Sequence, residues 1–168
     1  LETEAAMQLS FHLAHCYEAD DTLSVAWKRI MTSASKFWIC KRAVELTGEA
    51  MEVFGGNGYV DNGMMARIFK EAPVNTIWEG SGNVMCLDVL RAISRDVESI
   101  EVLFQDLAAT AMQDERLKKE LQNLFQLFQQ APEDLQFMAR SLVSRLVILA
   151  QAVLLKRYAP DYVADGFI

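Results

Sequence analysis

Proline, cysteine and histidine are scarce in this chain, with three, three and two residues among 168. Proline stands only in a connection (Pro73), at a helix start (Pro132) and at a helix end (Pro160), so the segments between carry no helix breaker of that kind. Cys16, Cys40 and Cys86 show no Cys-x-x-Cys spacing and are odd in number. That excludes a disulfide framework and leaves reduced core thiols, as in the cytosol. His12 and His15 lie three apart on one helix with Cys16 adjacent, but no further ligand stands at a matching spacing. A buried or bridging role is expected for them, and no metal site.

Basic charge is short as well: 16 Lys and Arg face 23 Asp and Glu, for a net charge of −7. The basic residues are dispersed in pairs such as Lys41-Arg42, Lys118-Lys119 and Lys156-Arg157. A surface of this balance repels phosphate backbones and anionic membranes, so DNA is not an expected partner. No uninterrupted apolar run reaches about 18 residues, and no membrane insertion is expected. P-loop, Ser-His-Asp order and internal repeat are all missing. The run Gly55-Gly56-Asn57-Gly58 follows a helical pattern, not a strand, which excludes the dinucleotide fingerprint. The opening Leu1-Glu2-Thr3-Glu4 has neither an initiator Met nor a signal-like segment, and Gly166-Phe167-Ile168 ends without a polar tail. Both point to a piece of a longer protein, which the reduced thiols lead us to expect in the cytoplasm.

What remains is helix. A hydrophobic fraction of 52% in 168 residues supports one domain with a sizeable core. Leu9, Leu13 and Cys16 share one face of a first helix, and Met7, Phe11 and Ala14 an adjoining one, so this helix is expected to be buried on more than one side. Asp20-Asp21-Thr22 forms a turn able to cap the next helix. From Leu23 the helical period continues past Gly48 until Gly55-Gly56 stops it, a length of roughly 45–50 Å that suits a bundle. An ordered connection with about one helical turn near Met64–Lys70 follows. Helix resumes from about Asn83, again beyond Ser99, again after Asp114, and from Pro132 to about Tyr158, before Pro160 ends it. Met64-Met65 and the Trp and Phe residues at helical spacing are expected in the core.

Three pieces of the connection stand in fixed order: Phe54-Gly55-Gly56-Asn57-Gly58-Tyr59, Ala66-Arg67-Ile68-Phe69-Lys70-Glu71-Ala72, and Ile77-Trp78-Glu79-Gly80-Ser81-Gly82-Asn83. This order resembles the C-terminal signature of the acyl-CoA dehydrogenase family of flavoproteins. Trp78 stands where Tyr is usual, Ser81 where Thr is, Lys70 where Arg is and Glu52 where Gln is. The run from Ile77 to Arg91 resembles the AidB-type branch of alkylation-response flavoproteins, which carries a helical region after the bundle. The resemblance implies an all-α fold: a four-helix-bundle C-terminal domain over 1–98, with an AidB-like helical extension over 99–168 packed on it.

The same resemblance implies site residues. Glu79 matches the general base that removes the α-proton of an acyl-CoA while the β-hydrogen leaves to FAD. Such a base needs a carboxylate beside the thioester in a dry pocket. Gly80 would let the backbone pass close to the flavin, and the Ser81 hydroxyl would donate to it, with Asn83 placed beside them. Gly55 and Gly56 would approach the ADP part of FAD of a neighbouring subunit, with Glu52 nearby. A carboxylate beside a pyrophosphate is unfavourable unless it points away or is protonated. Arg67 and Lys70-Glu71 are read as ion-pair partners within the loop. On residue type alone Glu79 is a surface loop carboxylate beside a structural glycine, and Gly55-Gly56 a helix C-cap. The implied whole is an FAD-dependent homotetramer or homodimer acting on acyl-CoA, its N-terminal and middle domains lying outside this sequence, so that this piece alone is inactive. Two other classes stay open: a DNA- or partner-binding domain, and an oligomerisation bundle with relic site residues.

Overall fold

The computed structural model describes residues 1–168, the side chain of Pro132 excepted. Among the described residues there is no strand. The long helices are α1 (Glu2–Tyr17), α2 (Thr22–Val53), α5 (Gly82–Arg95), α6 (Val97–Ala111), α7 (Glu115–Phe128) and α8 (Pro132–Tyr158). Two short helices, α3 (Gly56–Tyr59) and α4 (Met64–Glu71), and a 3-10 turn (Val74–Thr76) fill the connection after α2, and α9 (Asp161–Phe167) closes the chain.

Local chemistry sets the helix starts. The Asp21 carboxylate accepts from Ser24 N at 3.0 Å and Ser24 Oγ at 2.7 Å. Asp96 repeats the arrangement on Ser99 at the start of α6, and Asp114 accepts from Arg116 N at 2.9 Å at the start of α7. Each satisfies backbone donors that the first turn leaves orphaned. At 32 residues α2 spans about 48 Å.

α2 and α8 each pack against both α1 and α5 and against one another, which makes a four-helix bundle. α6 lies on α2 and α8, and α7 closes over α6 and α8. One continuous core runs through it all, from Leu9 and Trp27 through Val89, Leu107 and Leu124 to Leu146 and Leu154. A second, small cluster of Ala5, Leu155, Val163 and Ala164 seats α9 against α1 and α8. α8 is long and apolar enough to cross a membrane by composition, but two thirds of that stretch (67%) is buried inside the protein, where the residues serve as core. Its Arg145 is held in a double hydrogen bond by Glu120 of α7.

Three expectations change. α1 buries one face, not two: Ala5, Leu9, Leu13 and Cys16 are covered, whereas Met7 and Phe11 are exposed. The adjoining apolar stripe therefore has no covering neighbour among the described residues. The aromatic and Met positions divide likewise: Trp27 and Phe37 are core, but Met64, Trp78 and Phe137 stand in solvent. Pro160 ends α8 as expected, yet the tail after it forms α9, stabilised by its apolar seat and not by any long periodicity.

A part-buried polar cluster borders the core. Asp106 accepts from Trp27 Nε1 at 3.1 Å and from Arg157 Nη1 at 3.0 Å, while Arg157 Nε donates to Thr110 Oγ1 at 2.8 Å. The His12 ring meets Trp27 edge-on at 4.3 Å, and among the described residues nothing hydrogen-bonds its buried Nε2. Burial pushes the His12 imidazole below its ordinary range, with Arg157 and His15 acting in the same direction and Asp106 opposing. The native state thus takes up this proton less readily than the unfolded chain, so stability is full above about pH 6.5 and falls as pH drops below it. The capping carboxylates Asp21, Asp96 and Asp114 are held below the ordinary carboxylate range by hydrogen bonds. Their contribution is present above about pH 4 and lost as pH falls further. Thermal midpoints against pH should decline in two acid stages. His12→Phe should flatten the upper stage alone; an unchanged upper stage would assign it to another group.

Candidate functional site

The connection between α2 and α5 folds back along the C-terminal half of α2, with α3, α4 and the 3-10 turn in contact with it. It is built on a face of α2 that grips α5. Ser33 Oγ donates to Asp88 Oδ2 at 2.8 Å, and Arg29 stands 3.8 Å from the same carboxylate. A Cβ added to Gly82 would meet the Phe37 ring at 3.2 Å, so ring and helix N-terminus are in close contact. The Lys36 ammonium donates to the Gly80 carbonyl. Rising numbers on α2 meet falling numbers on α5, so the two run antiparallel and the α5 N-terminus lies beside the middle of α2.

Glu79 occupies the turn that enters α5. Its φ of +61° is the one positive value at a non-glycine residue among the described residues. For a residue with a Cβ that region costs about 1–2 kcal/mol, a strain the surrounding turn must hold. Gly80 follows at φ +120°, a torsion that side chains with a Cβ rarely adopt, so the backbone calls for glycine there; the Met85 methyl, 2.3 Å from a built Cβ, is the end of a flexible side chain. The Glu79 side chain is exposed. Ser81 is the N-cap residue of α5, but its hydroxyl makes no capping bond and is exposed. Asn83, in the first turn, accepts from Arg140 of α8 at 3.4 Å. Glu79, Gly80, Ser81 and Asn83 are thus gathered at one helix N-terminus, the end at which backbone N–H groups favour an anionic or electron-rich ligand.

Gly55 and Gly56 lie at the other end of the connection. Gly55, at φ +56°, is both the stop of α2 and the N-cap of α3, so the helix-stop reading holds. Nothing lies within 4 Å of a Cβ built on either glycine. They form an open, exposed ledge, and Glu52 is exposed beside them on the last turns of α2. Lys70 pairs with Asp61 across the loop. Val53, Phe54, Tyr59, Met64, Ile77 and Trp78 are all exposed along this connection.

The tether from Lys36 and the contact from Arg140 carry no sequence signal. Their partners lie 44 and 57 positions away, and neither lysine nor arginine stands out on a helix. Cys16 and Cys86 are buried and Cys40 half-buried, all free, with burial pushing the Cys86 thiol up to about 11, so it serves as core. Among the described residues no group of three or more His, Cys, Asp or Glu could hold a metal ion.

A helical bundle whose second long helix ends in a glycine ledge and whose strained Glu-Gly turn opens a third defines a class. The family description "Acyl-CoA dehydrogenase, C-terminal domain" matches residues 1–94. The chain belongs to the acyl-CoA dehydrogenase family. It is 34% identical to the putative acyl-CoA dehydrogenase AidB of Escherichia coli over 99% of its own length and 30% of that protein. A solved structure of Caenorhabditis elegans ACDH-11 in complex with C11-CoA superposes with a TM-score of 0.80 at 27% identity, over 97% of this chain and 31% of that one. The apo form of Bd2924 gives 0.82 at 28% identity, over 94% and 31%. The similarity to AidB runs through the helices beyond residue 94, and the chain spans about a third of each of these relatives.

Proposed function

We propose that this chain is the C-terminal part of an FAD-dependent acyl-CoA dehydrogenase in which Glu79 is the catalytic base. In this reading the family signature lies within 1–98, and 99–168, the AidB-type extension, supplies α8, the helix that completes the bundle. The observation that carries it is the strained Glu79-Gly80 turn at the N-terminus of α5, in register with the family's signature. A carboxylate on a helix interior could not approach a bound thioester this freely. One at a positive-φ turn stands clear of the bundle, with its backbone fixed behind it.

The residues present fit one wall of a flavin site. Gly55 and Gly56 have open space above them, Gly80 leaves the backbone bare, and the Ser81 hydroxyl is free of a cap bond. Asn83 stands in the first turn of α5, two residues beyond Ser81, while Glu52 would have to turn its carboxylate away from a pyrophosphate. When bound, FAD supplies the two-electron acceptor for the hydrogen leaving the β-carbon. Glu79 acts on the neighbouring carbon: a carboxylate oxygen takes the α-proton, and the C–H electron pair stays on the substrate to become the new double bond. The apolar residues exposed from Val53 to Trp78 would be covered by the remainder of the protein or by a second copy in a homodimer or homotetramer. That cover would dry the pocket and strengthen the base.

Two measurements test this reading. The full-length protein should retain flavin, and anaerobic addition of saturated acyl-CoAs of increasing length should bleach it with at least one of them. Retained flavin that no acyl-CoA bleaches would favour the oligomerisation-bundle reading. The 168-residue chain alone should be helical by circular dichroism and lose FAD on gel filtration, having one wall of the site. Stoichiometric retention of flavin would place the whole site within it.

A further inference from the structure

We propose that Lys36 is a positioning residue for the Glu79 base: from the middle of α2 its ammonium holds the Gly80 carbonyl and so fixes the turn that presents the carboxylate. The inference rests on the reading of Glu79 as base and adds to it a residue 43 positions away that the signature does not include. Lys36 is half-buried, and among the described residues no carboxylate pairs with it. Its recorded acceptor is a backbone oxygen, that of Gly80. Among the described residues this is also the one side-chain hydrogen bond to the backbone of 79–81. The turn needs such a hold. Trp78 N bonds back to Val74 O at 3.3 Å and Met85 N to Ser81 O at 3.0 Å, so the flanks are fixed while the Glu79–Gly80 peptides between them lie outside both helices.

The consequences are geometric. Gly80 has no Cβ to limit its torsions, and Glu79 sits at a φ that ordinary residues leave when released. A cation donating to the Gly80 oxygen fixes the Gly80–Ser81 peptide plane and so limits the torsions of the glycine hinge on which the Glu79 carboxylate is carried. The anchor itself is rigid, since Phe37 beside Lys36 is buried against the N-terminus of α5. Proton abstraction requires the carboxylate at close range and in line with the α C–H bond, and misplacement by about 1 Å costs about 10²-fold in rate. Loss of the tether should therefore be felt in the chemical step and not in binding.

Lys36→Met in the full-length flavoprotein keeps the stem and removes the donor. It should leave flavin content and the dissociation constant for a saturated acyl-CoA close to wild type, while anaerobic flavin reduction slows by about 10–100-fold. Amides around 79–82 should exchange faster with deuterium, a readout independent of turnover. Lys36→Arg, which can donate to the same carbonyl, should recover most of the rate. In a Glu79→Gln background Lys36→Met should cost nothing further, because no base is left to aim. Additive losses, or a wild-type reduction rate in Lys36→Met, would overturn the proposal. The two readings fail separately: wild-type reduction by Glu79→Gln removes the base, whereas wild-type exchange at 79–82 in Lys36→Met removes the tether. If Lys36→Met does not fold, Lys36→Gln, a shorter donor, is read by the same rate and exchange measurements.

Discussion

In the full-length protein Glu79→Gln is expected to keep its flavin and bind acyl-CoA normally, yet to slow anaerobic flavin reduction by more than the ~10²–10⁴-fold of a typical general base. Glutamine preserves the size of the side chain and accepts a hydrogen bond through its amide oxygen, but it has no basic lone pair for a carbon acid. The loss exceeds the usual range because the two C–H cleavages depend on one another: the β-hydrogen has no reason to leave until the α-proton is being removed. The variant should also keep the fold, since Glu79 is exposed and no ion pair or side-chain hydrogen bond to it is found among the described residues. Glu79→Gly should be tolerated even better by the backbone, which sits at φ +61°, and be equally inactive.

Glu52→Gln offers the contrast. It restores the residue usual in the family at a ledge well separated in sequence from Glu79, so any effect should appear in flavin affinity and leave the reduction rate unchanged. Stopped-flow bleaching with a saturated acyl-CoA separates the two. Bleaching at the wild-type rate by Glu79→Gln would mean that Glu79 is not the base, and the reading of the site as a relic would then be the better one.

Much of this architecture is legible in the amino-acid order because local rules dominate it. Asp21 caps α2 as its position before Thr22 and Ser24 predicts, and Gly55 ends the helix as a glycine at that place should. The candidate site is legible as a cluster for another reason: its residues are close in sequence, so Glu79, Gly80, Ser81 and Asn83 travel together wherever the chain turns. What stayed hidden is what depends on distant partners. Periodicity marks Met7 and Phe11 as apolar, and residue type makes Met64 core material, but neither says whether a neighbour exists to cover them. Lys36, Arg140 and the Asp106–Arg157 cluster act across 44 or more positions, and a charged residue on a helix carries no mark of its acceptor. α9 is seven residues long, too short for periodicity to register, and exists by docking on Ala5 and Leu155.

Truncation after residue 98 is expected to abolish the cooperative fold of this chain. The motif pieces all lie before that point, yet the bundle that carries them is completed from beyond it: α8 packs against α1, α2 and α5. Eight of its large apolar residues, from Leu142 to Leu155, are 0–1% exposed. Burying a Val or Leu side chain is worth about 1.5–3 kcal/mol, so this helix alone contributes on the order of 12–24 kcal/mol of apolar burial. Reduced by about 40% for a compact unfolded chain, that still equals the whole net stability of a typical domain, ~5–15 kcal/mol. Without α8, the faces of α1, α2 and α5 that meet it would be bare. The segment 1–98 should keep helical circular dichroism, bind a hydrophobic dye and melt without a sharp transition, as compact states without fixed packing do. The 168-residue chain should unfold in one cooperative step. Leu146→Ala in that longer chain should cost about 2–5 kcal/mol, the usual range for a fully buried leucine. A cooperative transition in 1–98, with a denaturant slope in proportion to its size, would show instead that the bundle stands without α8 and that the extension rests on it from outside.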